Sequence, residues 1–438
     1  MEKFCRRANT AIRHTLLFIA YHYPPIRSSG TERALHFARR LPEFGYAPVV
    51  LTTAAFGGAS DTQVQRAWEP LKLYRQLWNR EARAGTAPSD WRTDPGPLRG
   101  LVRLARRWAL FPDLQITWVP FALQRALQVV ERDAPAALYS TYPPASAHLL
   151  GLLLKRRTGL PWVADFRDAW TTDPLEPDLP AWRQALERQL EQAVVEAADV
   201  VVAATELSAE YLIKRYARAA SRVRVITNGF DPEEFSGIQA APPADGLLRL
   251  VHTGSFSYSH PQRSPQPLFM ALEALLAEDR AWAGRLRLVL AGSLSPAEHL
   301  GAAALEAAGM VECLGSLERR QALELQQQAH LLLLVDHPRP WPASNVPGKF
   351  YEYLAARRPI LALCGPGMVA ELTRRLGIGL HAPPDDAGAI RQVLVEAWER
   401  FGRDQLHSAV AAEELTRFHR RELTGQLARC FDSLLATR

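Results

Sequence analysis

Short apolar runs alternate with helical patterns along most of this chain, and that alternation leaves few folds open. An apolar run at residues 15–20 ends in the polar, proline-rich loop 21–30. A helical pattern follows over 31–44, Gly45 closes it, and 47–52 reads as the next strand. Strand, loop, helix, strand is a βαβ unit, whose ligands bind at the carboxyl ends of the strands. The pattern recurs with strands expected at 137–140, 162–165, 199–203 and 223–226, and helices at 145–157, 181–197 and 206–216. Continuous Val, Ile, Leu and Ala runs of this kind suit parallel strands buried on both faces.

Between residues 231 and 246 the chain turns polar and rich in Pro, Ala and Gly, which reads as a linker. A second alternating series then begins. Strands are expected at 247–252, 286–291, 311–314, 331–335 and 359–363, with helices at 267–277, 296–308, 318–329 and from Lys349. A final helical segment, 386–435, has no strand of its own. The expected class is α/β, with two doubly wound domains and a cleft between them. Residues 54–100 break the pattern and read as an insertion or lid. The stretch 97–111 interleaves Leu98, Leu101, Val102, Ala105, Trp108 and Leu110 with Arg99, Arg103, Arg106 and Arg107. Such a basic amphipathic helix either packs on its own domain with its arginines in water or lies on a membrane surface.

At 438 residues, 47% of them apolar, the chain can bury two cores. Residues 1–110 hold 18 Lys and Arg against 8 Asp and Glu, which suggests an anionic partner for that part. Nucleic acid is the weaker candidate, since no basic tract, zinc-finger spacing or RNP-like strand occurs. Cys5, Cys313, Cys364 and Cys430 are scattered, arguing for a reducing compartment over a disulfide framework. No apolar run approaches the ~18 residues of a membrane span, and 16–20 is too short for a signal-peptide core. A soluble, cytoplasmic protein is expected.

The most telling chemistry lies in Asn345-Val346-Pro347-Gly348-Lys349-Phe350-Tyr351-Glu352. A helix opening at Pro-Gly-Lys puts a lysine against the positive end of its own dipole, which is unfavourable unless an anion sits there. Glu352, one turn on, is placed to take hydrogen bonds from a ligand's hydroxyls. Diphosphate on the helix end and ribose on Glu352 is one reading; an amphipathic helix with ordinary surface charges is the other. Gly254 and Ser255 follow the first strand of the second series, and Arg263 lies on the loop beyond, facing the same phosphates if the first reading holds. In the first domain, Ser29 and Gly30 sit at a strand-to-helix turn suited to an anion or a sugar hydroxyl, and His22 lies in the same loop. Asp165, Arg167 and Asp168 end a strand, either at a site or in a buried ion pair. No Gly-x-Gly-x-x-Gly follows the first strand, and no Walker loop or Asp-x-Asp occurs, so a dinucleotide cofactor and a metal-bridged diphosphate are both disfavoured.

The blocks Gly30-Thr31-Glu32-Arg33-Ala34-Leu35, Ser140-Thr141-Tyr142-Pro143-Pro144, Asp165-Phe166-Arg167-Asp168-Ala169-Trp170, Val225-Ile226-Thr227-Asn228-Gly229-Phe230-Asp231 and Pro347-Gly348-Lys349-Phe350-Tyr351-Glu352 resemble the retaining GT-B glycosyltransferases. The likeness is to a bacterial cell-surface polysaccharide subgroup close to N-acetylfucosaminyl-type transferases. It implies two Rossmann-like domains, with the acceptor bound by residues 1–235 (insertion 54–110) and a nucleoside-diphosphate sugar by 236–415, and a final helix, 416–438, returning to the first domain. Donor contacts would be Gly254, Ser255, Arg263, Asn345, Gly348, Lys349 and Glu352, with Lys349 and Arg263 stabilising the leaving diphosphate. Acceptor contacts would be His22, Ser29, Gly30, Asp165, Arg167 and Asp168. No cofactor or metal is implied beyond the nucleotide sugar. The acceptor would be a glycan or lipid-linked molecule, with peripheral contact to the inner membrane surface. Ser344 stands where the family carries the first of its paired glutamates. Two rivals stay open: a non-hydrolysing nucleotide-sugar epimerase, and a non-catalytic protein that keeps the fold.

Overall fold

The computed structural model describes residues 11–26, 29–58, 60–70, 110–172, 179–238 and 240–436. The chain divides into two compact units, residues 1–228 with 420–438, and residues 229–419. The side chain of Ser29 and the expected helix at 97–111 up to residue 109 lie outside the described residues.

The first unit is built on a seven-stranded sheet ordered β3-β2-β1-β4-β5-β6-β7. Its strands are β1 (His14–Ile19), β2 (Tyr46–Thr53), β3 (Val64–Ala67), β4 (Ala137–Tyr142), β5 (Trp162–Phe166), β6 (Val200–Ala203) and β7 (Val223–Val225). Every pairing is parallel. Alternate residues of β1 serve opposite faces, as the period-2 geometry of a strand requires. Leu17 and Ile19 join Trp118, Leu150 and Trp162 in one core. Leu16 and Phe18 join Phe37, Leu41 and Tyr46 in another, which Leu423, Leu427 and Phe431 of the helix Arg420–Ala436 complete. The helices are α1 (Ser29–Arg40), α2 (Val119–Asp133), α3 (Ala145–Thr158), α4 (Ala181–Ala197) and α5 (Glu206–Arg215).

The second unit has six parallel strands ordered β10-β9-β8-β11-β12-β13. They are β8 (Leu248–Thr253), β9 (Leu286–Ala291), β10 (Val311–Gly315), β11 (Leu331–Val335), β12 (Ile360–Leu363) and β13 (Gly379–Ala382). Its helices are α6 (Gln266–Glu278), α7 (Pro296–Ala307), α8 (Arg319–Gln327), α9 (Gly348–Ala356), α10 (Met368–Arg375) and α11 (Ala387–Gly402). The alternate leucines of β8, β9 and β11 pack with α6, α7 and α11 into a single core.

Three expectations need correction. The insertion contributes a strand, β3, at the sheet edge, where residues 54–100 promised no regular structure. The helix expected at 31–44 ends as an α-helix at Arg40 and continues as the tighter turn Leu41–Phe44, with Pro42 in its first positions. The stretch after β12 holds the unforeseen pair α10 and β13, and the single segment expected at 386–435 is three helices, since residues 403–411 and 417–419 are not helical. No helix among the described residues is long and apolar enough to cross a membrane.

Candidate functional site

In each sheet the connections reverse direction at one point, between β1 and β4 and between β8 and β11. Ligands of doubly wound sheets bind beyond the carboxyl ends of the strands at such points. In the second unit, β8 runs into Gly254 and β11 into Asp336.

Gly254 sits at φ +117°, and a Cβ there would fall on the Lys349 ammonium. Behind it, Gly292 presses so closely that its own Cβ would strike the Gly254 carbonyl. Bare backbone is thus brought against Lys349, an arrangement only glycine permits. Lys349 occupies the first turn of α9, where Pro347 is the N-cap and no side chain caps the leading N–H groups. Helix α9 is tied to the sheet by Tyr353, whose buried hydroxyl accepts from Thr253 N at 3.3 Å and donates to Leu333 O at 3.2 Å. The Lys349 side chain as a whole is half-buried. Its pKa is pushed down to about 8 by burial first, and by the like charges of Arg263 and Arg319, with Glu352 pulling the other way. Among the described residues nothing hydrogen-bonds its ammonium.

Around this lysine the structure joins Arg263 and Asn345 to groups that the sequence pattern left unremarked, Asp336, His337, Arg339 and His252. Arg263 approaches Asp336 at 3.5 Å, while its buried Nε finds no partner among the described residues. Arg339 grips Asp336 at 2.9 Å and donates to Asn345 Oδ1 at 3.0 Å. Against the cost of burial, the His337 hydrogen bond and the Arg339 and Arg263 charges hold Asp336 well below the usual carboxylate range. His337 stacks on His260 with ring centroids 3.7 Å apart. His252 donates Nδ1–H to Leu333 O at 2.9 Å; burial and then Lys349 keep it neutral, and its buried Nε2 has no partner among the described residues.

Glu352 differs from expectation. The Arg319 guanidinium donates to one carboxylate oxygen and Gln326 Nε2 to the other. Arg319 also pairs with Glu234, and Gln326 with Thr253 Oγ1 at 3.0 Å. An ionised carboxylate accepts about four hydrogen bonds, so acceptor capacity remains. Ser255 is hydrogen-bonded to Ser259 at 2.8 Å in the loop before Arg263, and Ser344 is fully buried. Gly348 is the first residue of α9. The second unit therefore assembles Gly254, Arg263, Lys349 and Glu352 around one switch point, with Asn345 linked to them through Arg339.

In the first unit Gly30 and Arg167 meet: Arg167 Nη1 donates to Gly30 O at 2.6 Å, and a Cβ on Gly30 would lie 2.7 Å from that nitrogen. Asp168 pairs weakly with Arg167 at 3.4 Å, and His22 packs edge-on to Tyr21. Asp165 must be reassigned. It is fully buried and accepts from Arg33 through a two-pronged pair at 2.9 and 2.7 Å, from Tyr139 at 2.6 Å and from Thr141 at 3.0 Å. Burial opposes its charge, but Arg33, Tyr139 and Thr141 together hold its pKa below the usual value. Its oxygens face protein donors, so it is a structural anchor. Arg33 extends that anchor to the carbonyls of Ile226 and Thr227 and to Asn228. Among the described residues no group of three His, Cys, Asp or Glu side chains is placed to hold a metal ion.

Residues 30–229 match the family model described as a glycosyl transferase 4-like domain. Among solved structures, the sucrose-phosphate synthase of Thermosynechococcus elongatus superposes with a TM-score of 0.66 at 14% identity, over 97% of this chain and 100% of that one. HepE of Anabaena, determined in complex with UDP and glucose, gives 0.59 at 15% identity, over 96% and 100%. A UDP-N-acetylglucosamine 2-epimerase assignment from Listeria monocytogenes, described there as unproven, gives 0.57 at 10%, over 98% and 98%. The fold is GT-B. At such identities these likenesses speak for the fold alone; the domain match on 30–229 is what points to glycosyl transfer in general. No curated protein matches the chain significantly in sequence.

Proposed function

We propose that this GT-B protein transfers a sugar from a nucleoside-diphosphate sugar to a glycan or lipid-linked acceptor, with retention of configuration and without a metal ion. The observation that carries this reading is the Lys349 ammonium: desolvated, flanked by Arg263 and Arg319, laid against bare backbone at Gly254, and hydrogen-bonded to nothing among the described residues. A diphosphate supplies the charge this arrangement lacks. In support, HepE, similar in fold, was determined with UDP and glucose.

On this reading residues 236–415 bind the donor and residues 1–235 the acceptor, the latter with His22, Ser29, Gly30, Arg167 and Asp168 as contacts. The bond from the anomeric carbon to the leaving phosphate breaks as the acceptor oxygen attacks from the same face, and the acceptor's proton passes to that phosphate. Lys349 and Arg263 stabilise the charge left on the diphosphate, and Glu352 orients the ribose. The protein's contribution is positioning and charge stabilisation.

The test is Lys349→Ala, assayed for nucleoside-diphosphate affinity by calorimetry and for acceptor-dependent release of nucleoside diphosphate. A charge-assisted contact is worth ~1.5–3 kcal/mol, so affinity should fall roughly 10- to 150-fold with the circular dichroism spectrum unchanged. Wild-type turnover in that variant removes the diphosphate assignment. Sugar isomerisation without release supports an epimerase instead, and binding with neither outcome a non-catalytic protein.

A further inference from the structure

We propose that the second unit carries another anion site, for the phosphate group of a small soluble molecule, at the amino ends of its central strands. A cavity of about 280 Å³ lies there, lined by His330, Arg357, Arg358, Phe401, Asp404 and His407 among others. His330 immediately precedes β11, and Pro359, also in the lining, immediately precedes β12. Gly254 and Asp336 stand at the other end of the same sheet. The 5 residues of β11 separate the two ends by roughly 17 Å, too far for one phosphate to serve both.

The chemistry of the lining names the ligand class. Arg358 is half-buried; its Nε donates to Gln327 O at 3.0 Å, and no carboxylate pairs with it among the described residues. Its two terminal NH₂ groups make no hydrogen bond there, and that planar fork matches two oxygens of a phosphate. Arg357, exposed and left-handed at φ +56°, adds a second guanidinium. His330 Nδ1 accepts from Arg249 N at 3.1 Å, so the neutral ring carries its hydrogen on Nε2 and is a donor. The acidic groups nearby do not cancel this charge. Asp245 is tied to Arg249 at 2.7 and 2.6 Å. The Asp404 side chain is 100% exposed, where water screens it. Phe401 and Pro359 give an apolar wall for the carbon body of such a molecule.

The experiment uses the full chain carrying Lys349→Ala, so that the site proposed for the donor is disabled. Calorimetric titration with inorganic phosphate and with glucose 6-phosphate should show binding to one site. Arg358→Gln should weaken it at least about tenfold. Arg357→Gly should do so less strongly, and glycine suits the left-handed position, so that variant keeps the fold. Phosphate binding that the wild-type chain shows and the Lys349→Ala chain lacks overturns the proposal, as does binding undiminished by either arginine substitution, or no binding up to about 10 mM. Sedimentation with phosphatidic-acid vesicles that depends on Arg358, with no response to glucose 6-phosphate, moves the ligand to a lipid and overturns the soluble assignment. Failure of nucleoside diphosphates to bind the wild-type chain would leave these titrations unaffected, so the two readings fail separately.

Discussion

Lys349 fixes the sign of a pH dependence. Its protonated form is the one that meets a diphosphate, and burial together with two neighbouring arginines brings its pKa to about 8. An anion at the ammonium raises that value. Affinity for a nucleoside diphosphate should therefore be full below pH 8 and decline as pH rises through it, with proton uptake on binding near pH 9. Calorimetry between pH 7 and 9.5 in buffers of different ionisation enthalpy measures both, and a flat profile there discards the idea. The sequence made Lys349 conspicuous because a cation in a helix's first turn opposes the dipole, a purely local signal. Asp336, Arg339, Arg319 and Gln326 carried no such signal. Asp336, Arg319 and Gln326 matter through partners distant in sequence, as Gln326 does through Thr253 and Glu352, and spacing cannot report that; Arg339 meets Asp336 only three residues away, but in a loop with no periodicity to read. Asp165 was ambiguous for the same reason: only the fold brings Arg33 to it.

Among the elements, α7 shows how a helix end shapes a site. Ser295 and Glu298 form a capping box, with Ser295 N donating to Glu298 at 2.7 Å, and the second Glu298 oxygen accepts from Ser257 N at 3.0 Å. The cap of one helix thus holds the loop between Gly254 and Arg263. Glu298→Ala should cost about 1–2 kcal/mol in thermal unfolding and weaken nucleoside-diphosphate binding several-fold. Ser295→Ala should cost a similar stability while leaving affinity nearly intact, because Ser257 keeps its acceptor. Equal affinity losses in both variants would show that the loop is not held this way. Elements with strong periodicity were legible: β9, β11 and α4 run over the residues expected of them. The strands β3 and β13 were not, since Val-Gln-Arg-Ala and Gly-Leu-His-Ala hold too few apolar or β-branched residues to stand out. Both lie at sheet edges, where pairing to a neighbour, which no local pattern records, makes the strand.

For the molecule as a whole, the decisive feature is that the first unit is not continuous in sequence. Its second core is completed by Leu423, Leu427 and Phe431, all at most 3% exposed, from the helix Arg420–Ala436. Removing residues 420–438 takes one side of the packing from Phe37, Leu41 and Tyr46. Each large apolar side chain so exposed costs about 1.5–3 kcal/mol, so truncation after His419 should remove on the order of 5 kcal/mol or more. That loss approaches the whole stability of a typical domain. The truncated chain should unfold or aggregate well below the temperature at which the full chain does, as light scattering during a thermal ramp will show; an unchanged transition would mean the helix is dispensable. The alternation of strands and helices made both sheets legible, whereas only family likeness implied the allegiance of the last helix, since an amphipathic stripe says nothing of what it packs against.

The same discontinuity bears on how the protein is made. When residue 228 leaves the ribosome, one side of the first sheet has only part of its cover, and residues 229–419 must be translated before the missing helix exists. At 5–20 residues per second that delay is on the order of 10–40 s. During it the apolar side chains that Leu423, Leu427 and Phe431 will cover stay open to water.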